Sequence, residues 1–257
     1  MVDKSEGPDM AGRSVLITGA TSGIGLSAAA QLVERGWDVW VTGRTMERAT
    51  LAAAEVGGRA LELDVTDPAS VASAASVVDR LDALVNNAGI QPDYGVGLLD
   101  ADPDLFRRSY ETNVFGVVAV TNALLPALRR SASPRIVNVS SGTSSFRWST
   151  GPNPQFDYEA AAHNGGRFAV YRSSKAALNA LTLYYAQVLA PEGFLVNALA
   201  PGVRRTNLNP GMQSVGLTAG RGGDPAEGAA GIVALLDLPA DGPTGRLFSY
   251  DGTVAPW

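Results

Sequence analysis

Apolar runs of four to six residues recur along the chain, separated by alanine-rich stretches of helix length. The runs lie at 14–18 (SVLIT), 38–42 (DVWVT), 60–63 (ALEL), 82–86 (DALVN), 135–140 (RIVNVS), 194–199 (FLVNAL) and 246–250 (RLFSY). Segments 24–36, 46–56, 68–80, 103–130, 172–190 and 224–236 space their apolar residues as helices do. Strand–helix alternation predicts a parallel sheet covered on both faces. Seven such strands joined by right-handed crossovers predict one doubly wound α/β domain of Rossmann type over residues 1–257. No linker or internal repeat divides it. Two segments break the rhythm, an insertion at 142–170 and a loop at 203–223, both rich in Gly, Pro, Ser and Asn. Both follow strand C-termini, where doubly wound sheets bind ligands, and loops of this length usually serve function.

Composition narrows the function. The 257 residues are 46% hydrophobic and 18% charged, which is the balance of a globular chain with a sizeable core. A net charge of −5 gives nothing to attract a nucleic-acid backbone. With no Cys and a single His, disulfides and a zinc centre are not expected. The first ten residues are polar and acidic, without a signal-peptide core, and no apolar run reaches membrane-span length. A cytoplasmic protein without a membrane partner is the expectation.

After the first strand comes TGATSGIG, Thr18 to Gly25. Gly19, Gly23 and Gly25 permit a tight turn, and Thr21, Ser22 and Ile24 complete it before a helix. The amides and positive dipole end of that helix make a pyrophosphate site. The spacing Gly-x-x-x-Gly-x-Gly differs from the Gly-x-Gly-x-x-Gly fingerprint. It resembles the cofactor motif of the short-chain dehydrogenase/reductase family, and the resemblance continues in order along nearly the whole chain. Asp64-Val65 resembles the family's adenine-contacting pair. NNAG, with Asn87, Ala88 and Gly89, resembles the motif ending its fourth strand. Asn113 stands where the family has its catalytic Asn, Ser140-Ser141 end the fifth strand, and Tyr171-x-x-x-Lys175 matches the catalytic pair. Pro201-Gly202, followed by Val203, Arg204 and Thr206, resembles the nicotinamide-side motif.

The second strand ends in Gly43 and Arg44. An acidic residue there would bind a ribose 2′-hydroxyl, whereas a guanidinium matches a 2′-phosphate, with Thr45 as an added donor. NADPH/NADP is therefore the expected cofactor. Lys175 is one of only two lysines in an arginine-rich chain. Residues i and i+4 share a helix face, so Tyr171 and Lys175 point the same way. An ammonium about 4–5 Å away at an effective dielectric of ~20 favours the phenolate by roughly 3 kcal/mol, which predicts a depressed Tyr171 pKa. The resemblance implies that Tyr171 is the general acid/base and that Ser141 binds the carbonyl oxygen. It also implies a water held by Asn113 in relay to Lys175. Strand alternation lets only one of Ser140 and Ser141 face the site, and the resemblance favours Ser141.

Two departures stand out. Ser141 and Tyr171 are 30 residues apart, farther than in most relatives, which resembles the carbonyl-reductase-like branch. Its insertion obstructs the usual tetramer, so monomer or dimer is expected. Phe146, Trp148 and Phe156 in the insertion are candidate substrate contacts, or, with Tyr158 and His163, a packing cluster. Arg204 replaces a usual aliphatic residue, with its side chain expected to face solvent or else to meet an anionic group. The function read from the chain is NADPH-dependent reduction of a ketone or aldehyde, or the reverse alcohol oxidation. The rivals are a non-redox isomerase, dehydratase or cyclase, and a cofactor-binding protein without turnover; the intact set Asn113, Ser141, Tyr171 and Lys175 argues against both.

Overall fold

The computed structural model describes residues 12–153, 166–208 and 222–257. Seven parallel strands run in the order β3-β2-β1-β4-β5-β6-β7. They are β1 (Ser14–Ile17), β2 (Asp38–Gly43), β3 (Arg59–Glu62), β4 (Ala83–Asn86), β5 (Arg135–Val139), β6 (Leu195–Ala200) and β7 (Leu247–Ser249). An eighth strand, β8 (Val254–Ala255), adds antiparallel to β7 at the edge, beyond the seven read from the sequence. It is two residues long, too short for its pattern to stand out from a turn.

The central strand runs are mostly apolar because the sheet is covered on both faces, with a few buried polar positions such as Thr42, Asn86, Asn138 and Asn197. Val15 and Ile17 enter one core with Val39, Val41, Val85, Val137 and Leu199, against Ala28, Leu32, Ile232 and Leu236. Leu16 points the other way, into a core with Leu84, Ile136 and Val196 against Val120, Leu124 and Leu189. The first core is sealed by α1 (Gly23–Glu34) and α8 (Pro225–Leu236), and the second by α3 (Pro68–Val77), α5 (Gly116–Leu128) and α7 (Ala169–Leu189). Helix starts follow local chemistry. Asp67, Asp102 and Asp224 each accept a backbone N–H as N-cap, each followed by proline, at α3, α4 (Pro103–Tyr110) and α8. Thr45 caps α2 (Met46–Val56) in the same way.

The helix expected over 103–130 is broken by a π-helical turn, Glu111–Phe115, between α4 and α5. Its combined length, Pro103–Leu128, does meet the length and apolarity of a membrane span, against the expectation. Half of its most apolar 18 residues are buried inside the fold, and Val120, Leu124 and Leu128 sit in the second core. The sheet order reverses between β1 and β4, which opens a crevice at the strand C-termini.

Candidate active site

A cleft of about 1170 Å³ crosses the C-terminal ends of the central strands. One wall is the turn after β1, where Gly19, Thr21, Ser22, Gly23 and Ile24 line the space. The α1 N-cap, Ser22, makes no side-chain cap bond, so the first-turn amides remain available to an anion. Gly25 does not line the cleft. A Cβ there would lie 2.5 Å from Asn87 Nδ2 and 2.8 Å from the Gly19 carbonyl oxygen, so this glycine permits close packing beneath the turn. Asn87 holds the turn from the β4 side by donating Nδ2 to the carbonyls of Thr18 (2.9 Å) and Gly19 (3.0 Å). The Thr18 hydroxyl accepts from the amides of Asn87 and Ala88, each at 2.9 Å. Asp64, Val65, Asn87, Ala88, Gly89, Pro201, Gly202, Val203, Arg204 and Thr206 all border the same space. So does Arg44, with Arg48 of α2 beside it. Thr45 does not; its hydroxyl oxygen accepts from the Arg48 amide.

Tyr171 and Lys175 sit on the first turns of α7, both buried and both bordering the cleft. Lys175 Nζ donates to the Val139 carbonyl at 2.8 Å and lies 5.8 Å from the Tyr171 ring centroid. Burial pushes the Lys175 ammonium down to about 8. Burial also pushes the Tyr171 phenol up to about 12, with the Asp93 charge adding to the rise and a hydrogen bond from Ser141 opposing it. The depressed phenol expected from the Tyr–Lys spacing is thus reversed. Desolvation is the dominant cause, and the Lys175 ammonium donates to the Val139 carbonyl.

Ser140 and Ser141 both border the cleft, but their hydroxyls have different partners. Ser140 is buried, with its hydroxyl donating to Asn179 Oδ1 at 2.6 Å. The Ser141 hydroxyl is shared with that of Thr143 at 2.8 Å and reaches the phenol of Tyr171. Asn113 is fully buried in the π-helical turn. Its Oδ1 accepts from the Ile90 amide (2.9 Å), and its Nδ2 donates to the Ile90 carbonyl (2.9 Å) and the Ser174 hydroxyl (3.0 Å). A Cβ on Gly89 would meet Asn113 Oδ1 at 3.3 Å and Lys175 Nζ at 3.4 Å, so all three groups converge.

Of the substrate contacts expected from the insertion, Phe146 and Trp148 do not border this space. Phe146 opens the short helix α6 (Phe146–Ser149), is 72% exposed, and lies outside the cleft lining. Trp148 is buried with Ala198, Ala200, Leu247 and Ala255, with Trp257 packed alongside. The β8 edge gives it an apolar surface that the sequence did not reveal. Phe156, Tyr158 and His163 lie outside the described residues. Arg204 does not face solvent. Its side chain is 5% exposed. Nε donates to the Pro201 carbonyl (2.7 Å), one terminal nitrogen bonds Glu227, and the guanidinium carbon stands 4.5 Å from the Tyr250 ring centroid. Its backbone bridges Gly223, where a Cβ would lie 1.9 Å from the guanidinium. The two ends of the 203–223 loop are thereby joined at its base.

Several site residues carried no sequence signal. Arg48 lies on a helix of unremarkable polarity. Tyr94 and Phe168 border the cleft with ring centroids 5.9 Å apart, although they are 74 residues apart in the chain. Phe168 also carries φ +64° directly before α7. Asp93 is 1% exposed behind them.

Comparison with known proteins gives matches over nearly the whole chain. A family model described as short chain dehydrogenase matches residues 13–153. A second, described as Enoyl-(Acyl carrier protein) reductase, matches residues 155–253. Short-chain dehydrogenase/reductase 1 of Saponaria officinalis is 31% identical, with 95% of this chain and 96% of that protein covered. The crystal structure of NADPH-bound carbonyl reductase from chicken fatty liver superposes with a TM-score of 0.79 at 28% identity, covering 96% of this chain and 100% of that one. A 3-ketoacyl-(acyl-carrier-protein) reductase from Brucella melitensis, complexed with NADH, gives a TM-score of 0.75 at 28% identity over 93% of this chain and 97% of that one.

Proposed function

Because the chain belongs to the short-chain dehydrogenase/reductase family, we propose that it is an NADPH-dependent reductase of ketones or aldehydes, able to run in reverse on alcohols, with Tyr171 as the general acid/base. The observation that carries this is the meeting of Tyr171, Lys175 and Ser141 on one cleft with the glycine turn and the Pro201–Thr206 segment. The cleft fits a dinucleotide: free amides at the start of α1 suit its pyrophosphate, and Asp64 and Val65 border the adenine side. Arg44 and Arg48 suit a 2′-phosphate.

Held by the glycine turn, Asp64, Val65 and the Pro201–Thr206 segment, a reduced nicotinamide cofactor would supply the hydride that the carbonyl carbon takes up. Ser141 donates to the carbonyl oxygen and stabilises charge as it develops. The Tyr171 O–H bond breaks and its proton passes to that oxygen, leaving a phenolate that Ser141 and the Lys175 ammonium stabilise. A phenol raised to about 12 keeps its proton at neutral pH, as a donor to the more basic alkoxide must. Tyr94 and Phe168, with Ile90 and Pro92, offer the apolar wall for the rest of the substrate, in place of Phe146 and Trp148.

The test is a panel of ketones and aldehydes followed by loss of nicotinamide absorbance, run with the parent and with Tyr171→Phe. The variant is expected to keep its NADPH affinity and lose about 10²–10⁴-fold in turnover, the usual contribution of a positioned acid. Parental turnover in the variant would end this reading.

A further inference from the structure

We propose that Asp93 is the positioning residue for Tyr171: its buried carboxylate, carried by the loop after β4, serves as a remote N-cap of α7 and sets how the tyrosine stands in the cleft. The inference rests on the acid/base role of Tyr171 given above.

A helix leaves its first amides without intrahelical partners, and a local Ser, Thr, Asp or Asn ordinarily takes one of them. α7 has no such residue. Its N-cap is Phe168, in the left-handed region at φ +64°, with no side-chain cap bond. A non-glycine residue held there is strained and persists where its surroundings over-determine it. The acceptor comes instead from far upstream. Asp93 Oδ2 accepts from the Val170 amide at 2.9 Å and from the Tyr171 amide at 3.3 Å. One of the two capped residues is thus the tyrosine itself. A carboxylate at a helix N-terminus also meets the positive end of the dipole.

The same loop grips the junction a second time. Tyr94, next to Asp93, packs its ring on Phe168, and a Cβ on Gly166 would touch Leu98 Cβ at 3.0 Å. Asp93 is 1% exposed and does not border the cleft, so it touches neither substrate nor cofactor. Its influence passes through the backbone of α7. The other carboxyl oxygen, Oδ1, is buried without a partner, a cost that a purely decorative aspartate would not sustain. Displacing a reacting group by about 1 Å can cost about 10²-fold in rate. Loss of the cap should therefore appear in turnover before it appears in binding.

The experiment compares Asp93→Ala with Asp93→Asn on the best carbonyl from the panel, with cofactor affinity measured separately by fluorescence. Asparagine retains an acceptor oxygen and is expected to stay within about threefold of the parent, whereas alanine is expected to lose about 10–100-fold in kcat. NADPH affinity and KM should move by less than about threefold in both. Hydrogen exchange on the parent supplies a readout that needs no variant to fold, since the Val170 and Tyr171 amides should be protected. Parental kcat in Asp93→Ala, an equal loss in both variants, or loop-like exchange at the two amides would each overturn the proposal. Tyr171→Phe separates the two claims. If that variant is inactive while Asp93→Ala matches the parent, only the capping role fails.

Discussion

Position 43 shows how a missing side chain can bias the choice of cofactor. A Cβ on Gly43 would lie 2.7 Å from Thr21 Cγ2 and 3.0 Å from the Ala49 amide nitrogen, so the end of β2 has no room for the carboxylate that would favour a ribose hydroxyl. Arg44 and Arg48, both exposed at the cleft, are the cations to which the proposed NADPH preference assigns the phosphate. Removing either guanidinium by Arg44→Ala or Arg48→Ala is expected to weaken NADPH binding about 10-fold, near the lower end for a charge-assisted hydrogen bond. NADH binding should be unaffected. Parallel titrations with the two cofactors check this, and equal losses on both would place the arginines elsewhere in recognition. Arg44 was legible from its position after a strand; Arg48 needed the fold to bring it alongside. Lys175 makes the complementary point. The Tyr–Lys spacing revealed the pair, but the direction of its pKa shifts depends on burial, which spacing does not encode. With its pKa lowered to about 8, Lys175 is charged below that pH and neutral above it. If its ammonium assists Tyr171, kcat/KM for reduction should be level at neutral pH and fall as pH rises through about 8. A profile level to about pH 10, where an ordinary lysine titrates, would remove Lys175 from the proton chemistry.

At the scale of elements, the insertion after β5 divides its aromatics by how much sheet each can reach. Ser145 caps α6 by accepting from the Trp148 amide, and Trp148 then turns into the cluster beneath β8. Phe146, at the start of the same turn, is left in solvent. Trp148→Ala should therefore cost about 3–5 kcal/mol of stability, as for other buried large aromatics, with KM and NADPH affinity little changed. Phe146→Ala should be close to neutral on all three. Chemical denaturation and steady-state kinetics on the same preparations check both. A raised KM in a stable Trp148→Ala would restore that residue to the substrate pocket. The break between α4 and α5 was equally hidden. A π-helical turn changes the register of Asn113 against Ile90 and Ser174, yet leaves an apolar spacing that reads as one helix. Such turns gather at functional sites, and here the extra residue presents the Asn113 amide sideways to the loop that carries Asp93.

Across the whole molecule, the sheet was largely written in its runs of Val, Leu and Ile, because a strand buried on both faces reads as a nearly continuous apolar run. Each helix crossover then follows from handedness. The glycine turn, Asn87, Tyr171 and Lys175 were legible because their spacing is local and their residue types are rare choices. Tyr94 and Phe168 were not, since neither belongs to a motif and only the fold sets one against the other. Arg204 was misjudged for a related reason. An arginine in a loop is ordinarily solvated, and nothing local announces that Pro201, Glu227 and Tyr250 surround it. The knot it ties with Gly223 bears on how such a protein diversifies. With its two ends joined beneath the cleft, the loop is expected to tolerate changes of length at a closure cost of only about 0.6 kcal/mol per doubling. On the function proposed above, replacing this loop alone is expected to shift substrate range while Tyr171 and Lys175 keep their places.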